Sequence, residues 1–300
     1  MIHSWSIGHA RVTSVVEYVG PTHAPEATFP AYDEAAMART ADRLPPGAWY
    51  PDIRRFTIAI QLWIVRHRDD VVLVDAGVGN FKPRPAARMN MLNTLLPQWL
   101  AAAGASFAEV THVLMTHLHS DHVGWNTVLE AGRWTPTFPN ARYLLPRADF
   151  VYFKGLEASG RAGDTSFADS VAPVVEAGLA DFIDARTELP AGLTPVEAFG
   201  HTPGMLNYWL RSGGETGVFS ADVFHHPVQI FNPSWNTAFC VLPDAAIATR
   251  ARLLADAAAA GALVMPCHFP APYTGYVRGN GATYSFEPAP PGYPAALKLS

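Results

Sequence analysis

Four apolar runs, far apart in the chain, each lead into a histidine or an aspartate. THVLMT runs into His117, TPVEAF towards His201, TGVFSAD into Asp222, and ALVMPC into His268. Short β-branched runs of this kind read as strands. Helical patterns lie among them, from RADFVYF and the stretch around Phe167–Ala177 to PDAAIATRARLLADAAAAG, which Gly261 stops. Mixed β and α segments imply sheets layered with helices, and such folds place their sites where strands end along one edge. His117, His201, Asp222 and His268 are therefore expected to meet.

The chain of 300 residues is 49% hydrophobic and 16% charged, enough for one large domain over residues 1–300. Residues 20–53 are proline-rich, with a short helix expected around Asp33–Arg43. They read as a surface excursion too polar and broken for a core element, suited to the rim of a pocket or to a homodimer contact. A net charge of −5 argues against a nucleic-acid partner. There is no apolar run of about 18 residues to span a membrane. The start, MIHSWSIGHARV, lacks the features of a signal peptide, so a cytoplasmic location is expected. Cys240 and Cys267 have neither disulfide-framework nor C-x-x-C spacing and read as small buried hydrophobes.

The stretch THLHSDHVGW crowds His117, His119, Asp121 and His122 together. Imidazoles and carboxylates are ligands for zinc and its neighbours in the first transition row. With His201, Asp222 and His268 the set reaches seven groups, more than one tetrahedral ion needs. It suits two ions sharing a bridging group, about 3.5 Å apart. The H-x-H pair can reach one ion while Asp121 and His122 turn towards a second.

The pattern His117-x-His119-x-Asp121-His122, followed in order by His201, Asp222 and His268, resembles the metallo-β-lactamase superfamily. VLVDAG at Asp75, GHTPG around His201 and SAD at Asp222 agree with it. The resemblance covers about Ile53 to the C-terminus. It implies a four-layer αββα sandwich with the metals at one edge of the sheets. Carried onto this chain, it makes His117, His119 and His201 ligands of one ion. Asp121, His122 and His268 would hold the other, Asp222 would bridge, and Asp75 would orient a ligand ring from behind. Two divalent ions are implied, zinc first, with manganese, iron or cobalt as alternatives. HVGWNT and HFPAPYTGYV look like the branch holding N-acyl homoserine lactonases, methyl parathion hydrolase and a hydrolytic dehalogenase of chlorinated aromatic nitriles. Met205 departs from that branch, where a histidine or polar residue is usual, and is expected to make the pocket wall more apolar.

Two cations would lower the pKa of a bridging water, and the resulting hydroxide would attack a carbonyl or phosphoryl centre. No G-x-S-x-G nucleophile motif is present. The expected activity is hydrolysis of a neutral, apolar ester or lactone, or a phosphotriester, as a small-molecule substrate. Trp125, Trp235, Phe231 and Phe269 are the candidate pocket aromatics behind the apolar reading. Asp121, Asp222 and His225 are the candidate catalytic groups, His225 by overhanging the metals from DVFHH. The rival readings are a hydrolytic dehalogenase on the same site and an iron-dependent oxygenase. A non-catalytic scaffold is disfavoured because no ligand is missing. His226 and His112 read as structural, while His3, His9, His23 and His67 are expected at the surface.

Overall fold

The computed structural model describes residues 1–279 and 283–292. Its first half contributes β1 (Ile2–Ile7), β2 (Ala10–Pro21), β3 (Trp49–Tyr50), β4 (Arg55–His67), β5 (Asp70–Val74), β6 (His112–Leu114), β7 (Thr127–Glu130), β8 (Arg133–Pro136), β9 (Arg142–Pro146) and β10 (Ala180–Ile183). The second contributes β11 (Leu193–Glu197), β12 (Leu206–Ser212), β13 (Glu215–Ala221), β14 (Leu263–Pro266), β15 (Gly275–Gly279) and β16 (Tyr284–Pro288). One sheet has the order β1-β2-β4-β5-β6-β9-β10, with β3 paired to β4, and the other runs β11 to β16 in sequence. β7 and β8 form a separate hairpin.

Strict side-chain alternation makes the layers. Along β4, Trp63 and Val65 face the second sheet and meet Tyr208, Leu210, Phe219 and Met265 in the core between the sheets. Their neighbours Leu62 and Ile64 face outwards and pack under Leu96 and Leu100 of the helix Leu96–Ala102. On the far side of the second sheet, Trp209, Val218 and Val264 pack against Leu253, Leu254 and Ala257 of the helix Pro243–Ala260. The order is thus helix, sheet, sheet, helix. Gly261 ends the long helix in the left-handed region at φ 59°, a backbone angle that favours glycine.

Parallel pairs bring strand ends to one edge. β5 pairs parallel to β6, and β13 parallel to β14, so the segments after all four emerge together. Two β-bulges sit beside that edge. One lies between Val16 and Tyr18 and holds Glu17; the other lies between Phe219 and Ala221, directly before Asp222. Bulges re-aim side chains, and here each re-aims the chain next to a buried acid.

Residues 20–53 differ from their polar appearance. Phe29 and Met37 are buried and pack with Phe56, Val228 and Trp235 in a small core of their own. The helix Glu34–Thr40 is capped by Asp33, which accepts from the backbone N–H of Ala36. Before Gly104 the chain forms the short helix Leu96–Ala102, with Pro97 in its first turn. Among the described residues no helix is long and apolar enough to cross a membrane.

Candidate metal centre

The segment after β6 folds so that the rings of His117 and His119 meet that of His201. His117 Nε2 lies 3.1 Å from His119 Nδ1, and His119 Nδ1 lies 2.7 Å from His201 Nε2. Asp222 Oδ2 is 3.1 Å from His201 Nε2 and 3.7 Å from His117 Nε2. Tetrahedral zinc with ligands at 2.0–2.1 Å would hold them about 3.3 Å apart, close to these spacings. A second group gathers on the other oxygen of the same carboxylate. Asp222 Oδ1 is 3.3 Å from His122 Nε2 and 3.1 Å from His268 Nε2. Asp121 lies 3.8 Å from the first of those rings and 3.7 Å from the second. All seven candidates come together, three imidazoles on one side of Asp222 and two imidazoles with Asp121 on the other.

The donor set fits a pair of divalent cations. His122 Nε2 and Asp222 Oδ1 are buried without a hydrogen-bond partner, an arrangement that costs free energy unless something else meets them. Burial, then neighbouring rings, hold His117 well below the ordinary histidine range and His119 at about 3. Burial also brings His201 down to about 4, against the pull of Asp222. These are neutral imidazoles, the form that ligates. His122 shifts upwards: burial opposes its charge, but Asp222, Asp75 and Asp121 together outweigh it.

The far sides of the rings are also engaged. His117 Nδ1 meets Thr116 Oγ1 at 3.0 Å, and His268 Nδ1 donates to the carbonyl of Ala59 at 2.9 Å. His122 Nδ1 donates to Asp75 Oδ2 at 2.9 Å, and Asp75 also accepts from the Thr116 N–H and hydroxyl. Each bond fixes which nitrogen faces the centre. Asp75 itself adopts a left-handed φ of 59° immediately after β5, and Ala221 one of 49° before Asp222. Non-glycine residues rarely do so, and such strain gathers at functional sites. Gly200, at φ 137°, lies so close to Ala246 that a Cβ would overlap that residue's backbone.

Four residues gain roles that their sequence context did not reveal. Asp149, buried in the helix Arg147–Ala158, accepts from Leu118 N, Thr202 Oγ1 and Gly204 N. It ties the His117–His119 loop to the His201 loop, and burial raises its pKa to about 6 against those three donors. Glu17, from the first bulge, accepts from Val78 N, Gly79 N and Trp125 Nε1. Cys267 is buried as expected but is more than a small hydrophobe, since its thiol donates to Asp75 Oδ2 at 3.2 Å. His23, expected at the surface, lines the cavity over the centre. Nothing local in the sequence pointed to Asp149 or to His23.

That cavity, of about 210 Å³, opens onto Asp121, Asp222, His225 and His268. Its apolar wall comes from Ile58, Met89 and Phe239. The four aromatics expected there are elsewhere: Trp125 and Phe269 are core residues, Trp235 packs on Phe29, and Phe231 lies under Arg43. Met205 is also a core residue, packed with Trp209 and Val218, and gives nothing to the wall. His225 does reach the centre, its Nε2 being 3.1 Å from Asp222 Oδ2 and its ring stacked on His268. His226 is structural, bonded to the carbonyl of Ala48.

With a mixed sandwich of this topology and this ligand geometry, the chain falls in the class of metal-dependent hydrolases built on paired sheets. A family model described as the metallo-beta-lactamase superfamily matches residues 58–268, and the chain belongs to that superfamily. A probable metallo-hydrolase of Bacillus subtilis, YybB, is 25% identical over 187 residues, 60% of this chain and 71% of its own. The crystal structure of AbOPH, a hydrolase in the beta lactamase superfamily, superposes with a TM-score of 0.79 at 20% identity, covering 96% of this chain and 97% of that one. AidC, a dizinc quorum-quenching lactonase solved with a homoserine product, gives 0.76 at 20% identity over 96% and 97%. At that identity the two structures speak for the fold.

Proposed function

We propose that this centre binds two divalent ions, zinc first, and hydrolyses a carboxylic ester or lactone. The observation that carries the reading is Asp222, which offers one oxygen to each group of rings and stands at the floor of an open cavity. When bound, the ions would supply an activated water and polarise the scissile carbonyl. His117, His119 and His201 would hold one ion, and Asp121, His122 and His268 the other, with Asp222 between them. His225 is placed beside the substrate: it lines the cavity, its Nε2 lies 3.1 Å from Asp222 Oδ2, and its buried Nδ1 has no hydrogen-bond partner. Burial disfavours protonation of this ring, against the pull of Asp222. Asp121 is the most exposed ligand carboxylate, 21% accessible at its side chain, and would meet water or a leaving group first.

The lactonase and hydrolase structures of the same fold support this class, as does the metallo-hydrolase relative. A second apolar cavity, lined by Tyr152, Phe153, Leu156 and Phe167, shares His119 and Ser120 with the first. Two cavities meeting at the centre suit a substrate with an arm on either side of its reacting bond. The apolar character expected of the substrate rests on Ile58, Met89 and Phe239 rather than on the four aromatics, which lie outside the cavity. The test is turnover of a small panel: an aryl ester, an acyl homoserine lactone, a phosphotriester and a chlorinated aromatic nitrile. Each is run before and after chelation and metal add-back, with His117→Ala as control. Chelator-sensitive ester or lactone turnover is expected. Preference for the phosphotriester or nitrile would replace the reading.

A further inference from the structure

Among the described residues, Arg88 is the arginine or lysine that lines the cavity over the centre. In the core Lys82 and Arg84 pair with Asp169, and the fully buried Arg250 donates to the carbonyls of Val223 and Pro233 and to Asn236. At the surface Arg54, Arg142 and Arg278 hold carboxylates. Arg88 lines the cavity over the centre, half-buried, with its Nε shielded from solvent and unpartnered. Among the described residues its hydrogen-bond contact is Nη1 to His23 Nε2, at 3.2 Å. A guanidinium has only donors, so His23 must accept there, as a neutral ring protonated on Nδ1. Burial, then the charges of Arg88 and Arg55, disfavour its protonation. The neutral ring orients the guanidinium and leaves its charge uncancelled.

The acids of that cavity have other partners. Asp222 faces the ring nitrogens on both sides, and Asp121 faces His122 and His268. A fixed positive charge with free donors therefore borders an otherwise apolar wall of Ile58, Met89 and Phe239. An amide or ester carbonyl would use one donor and leave the charge uncompensated. A carboxylate matches the planar fork with two oxygens and neutralises it.

We propose that Arg88 anchors a carboxylate on the substrate, which is then an ester or lactone whose second, anionic end is set off from the reacting carbonyl by an apolar spacer. This rests on the ester or lactone reading above and adds the substrate's far end to it.

The test is calorimetric titration of the zinc-loaded protein with α,ω-dicarboxylates from succinate to suberate, each against the monocarboxylate of the same chain length. Both offer the centre one carboxylate; only the diacid offers Arg88 a second. At one or two adjacent lengths the diacid should bind at least about tenfold tighter, as a charge-assisted contact implies. Arg88→Met should remove that advantage while leaving monocarboxylate affinity, zinc content and melting temperature unchanged, and Arg88→Lys should keep part of it. If the Met variant does not fold, Arg88→Gln carries the same comparison. The proposal is overturned if no diacid outperforms its monoacid, or if the advantage persists without the guanidinium.

Hydrolysis gives a second arm: 4-nitrophenyl hemi-esters of the best diacid against their methyl-capped counterparts. The hemi-ester should have the lower KM, and Arg88→Met should equalise the two through KM with kcat for the capped ester retained. A diacid preference without turnover of either ester would keep the anchor and sink the hydrolase reading. Turnover of both esters without any diacid preference would do the reverse.

Discussion

The two halves of the centre are built from similar rings but are held differently. Around His117, His119 and His201 the support comes from backbone and hydroxyl groups, gathered by Asp149 onto Leu118, Thr202 and Gly204 without touching a ligand ring. Around His122 a carboxylate, Asp75, touches the ring itself. Each acid accepts several donors, yet one places loops and the other places a charge. Electrostatics follow the same division, with the first three imidazoles pushed towards neutrality and His122 pulled towards its charged form. The first group of rings is therefore placed by the geometry of its loops. The second depends on negative charge behind the ring, which strengthens the ring as a ligand.

Removing what the halves share should have the largest effect. Asp222→Ala takes an oxygen from each group, and catalytic turnover is expected to fall by at least about a thousandfold, near the scale of losing an activated nucleophile. Metal analysis of the purified variant should show fewer than two equivalents bound. Retention of two ions with near-normal activity would remove the bridging role.

Next in size is the loop anchor of the first half. Asp149 has a folded pKa of about 6, above its ordinary value of 3.8, because burial disfavours the charge. The native chain therefore keeps this proton to higher pH than the unfolded chain does. Its contribution to stability is fullest below about pH 4 and is lost as pH rises through 6, by roughly 3 kcal/mol for a shift of this size. Asp149→Asn cannot titrate, so the stability difference between wild type and variant should move in the variant's favour by about that amount from pH 4 to pH 7. The variant still starts lower, since a carboxamide presents an N–H to one of the three donors. Urea midpoints at the two pH values measure both effects, and a pH-independent difference would show that folding leaves the Asp149 pKa unshifted.

Asp75→Ala should act chiefly on the second half, since Asp75 touches His122 directly and reaches His117 only through the Thr116 hydroxyl. Loss of an acid behind a ligating ring typically costs 10–100-fold in metal affinity. The expectation is two distinct dissociation constants in a chelator competition, one shifted by that factor and one near wild type. A matched loss of both ions would mean that Asp75 stabilises the whole edge, through Thr116, rather than one half.

The difference between the halves also sorts what could be read in the residues. The convergence of the candidate ligands of both halves was legible, because metal chemistry calls for His and Asp at strand ends and little else explains THLHSDH. Asp75 was legible through the resemblance, VLVDAG being one of the stretches that carry it. Asp149 was not, since its partners are two backbone N–H groups and a hydroxyl brought from two distant loops, and a helix-borne aspartate looks like an ordinary surface acid. Glu17 was hidden by its bulge, which breaks the alternation that would have assigned it a face. The four misplaced aromatics share another cause. Proximity in sequence to a motif says little about which way a loop side chain turns, and large rings are drawn into whatever core is nearest. The region 20–53 hid a small core because Phe29 and Met37 lie among prolines and charges, and their partners Val228 and Trp235 come from the far end of the chain.

The smallest effect sharpens the contrast at the back of the second half. Cys267 donates a weak S–H bond to the same Asp75 oxygen that accepts from His122 and the Thr116 hydroxyl. Cys267→Ala leaves Asp75 with its other donors, so stability should fall by no more than about 1 kcal/mol, the scale of one hydrogen bond. Cys267→Ser keeps a donor at the same place, and a hydroxyl is the stronger one. If the thiol contributes through Asp75, serine should match or exceed wild type in affinity for the ion of the second half, while alanine falls a few-fold below it. If it contributes only by filling space, serine should be the worse of the two, because a hydroxyl that finds no partner is costly to bury. The order of alanine and serine in a chelator competition therefore separates a polar support for His122 from simple packing beside His268.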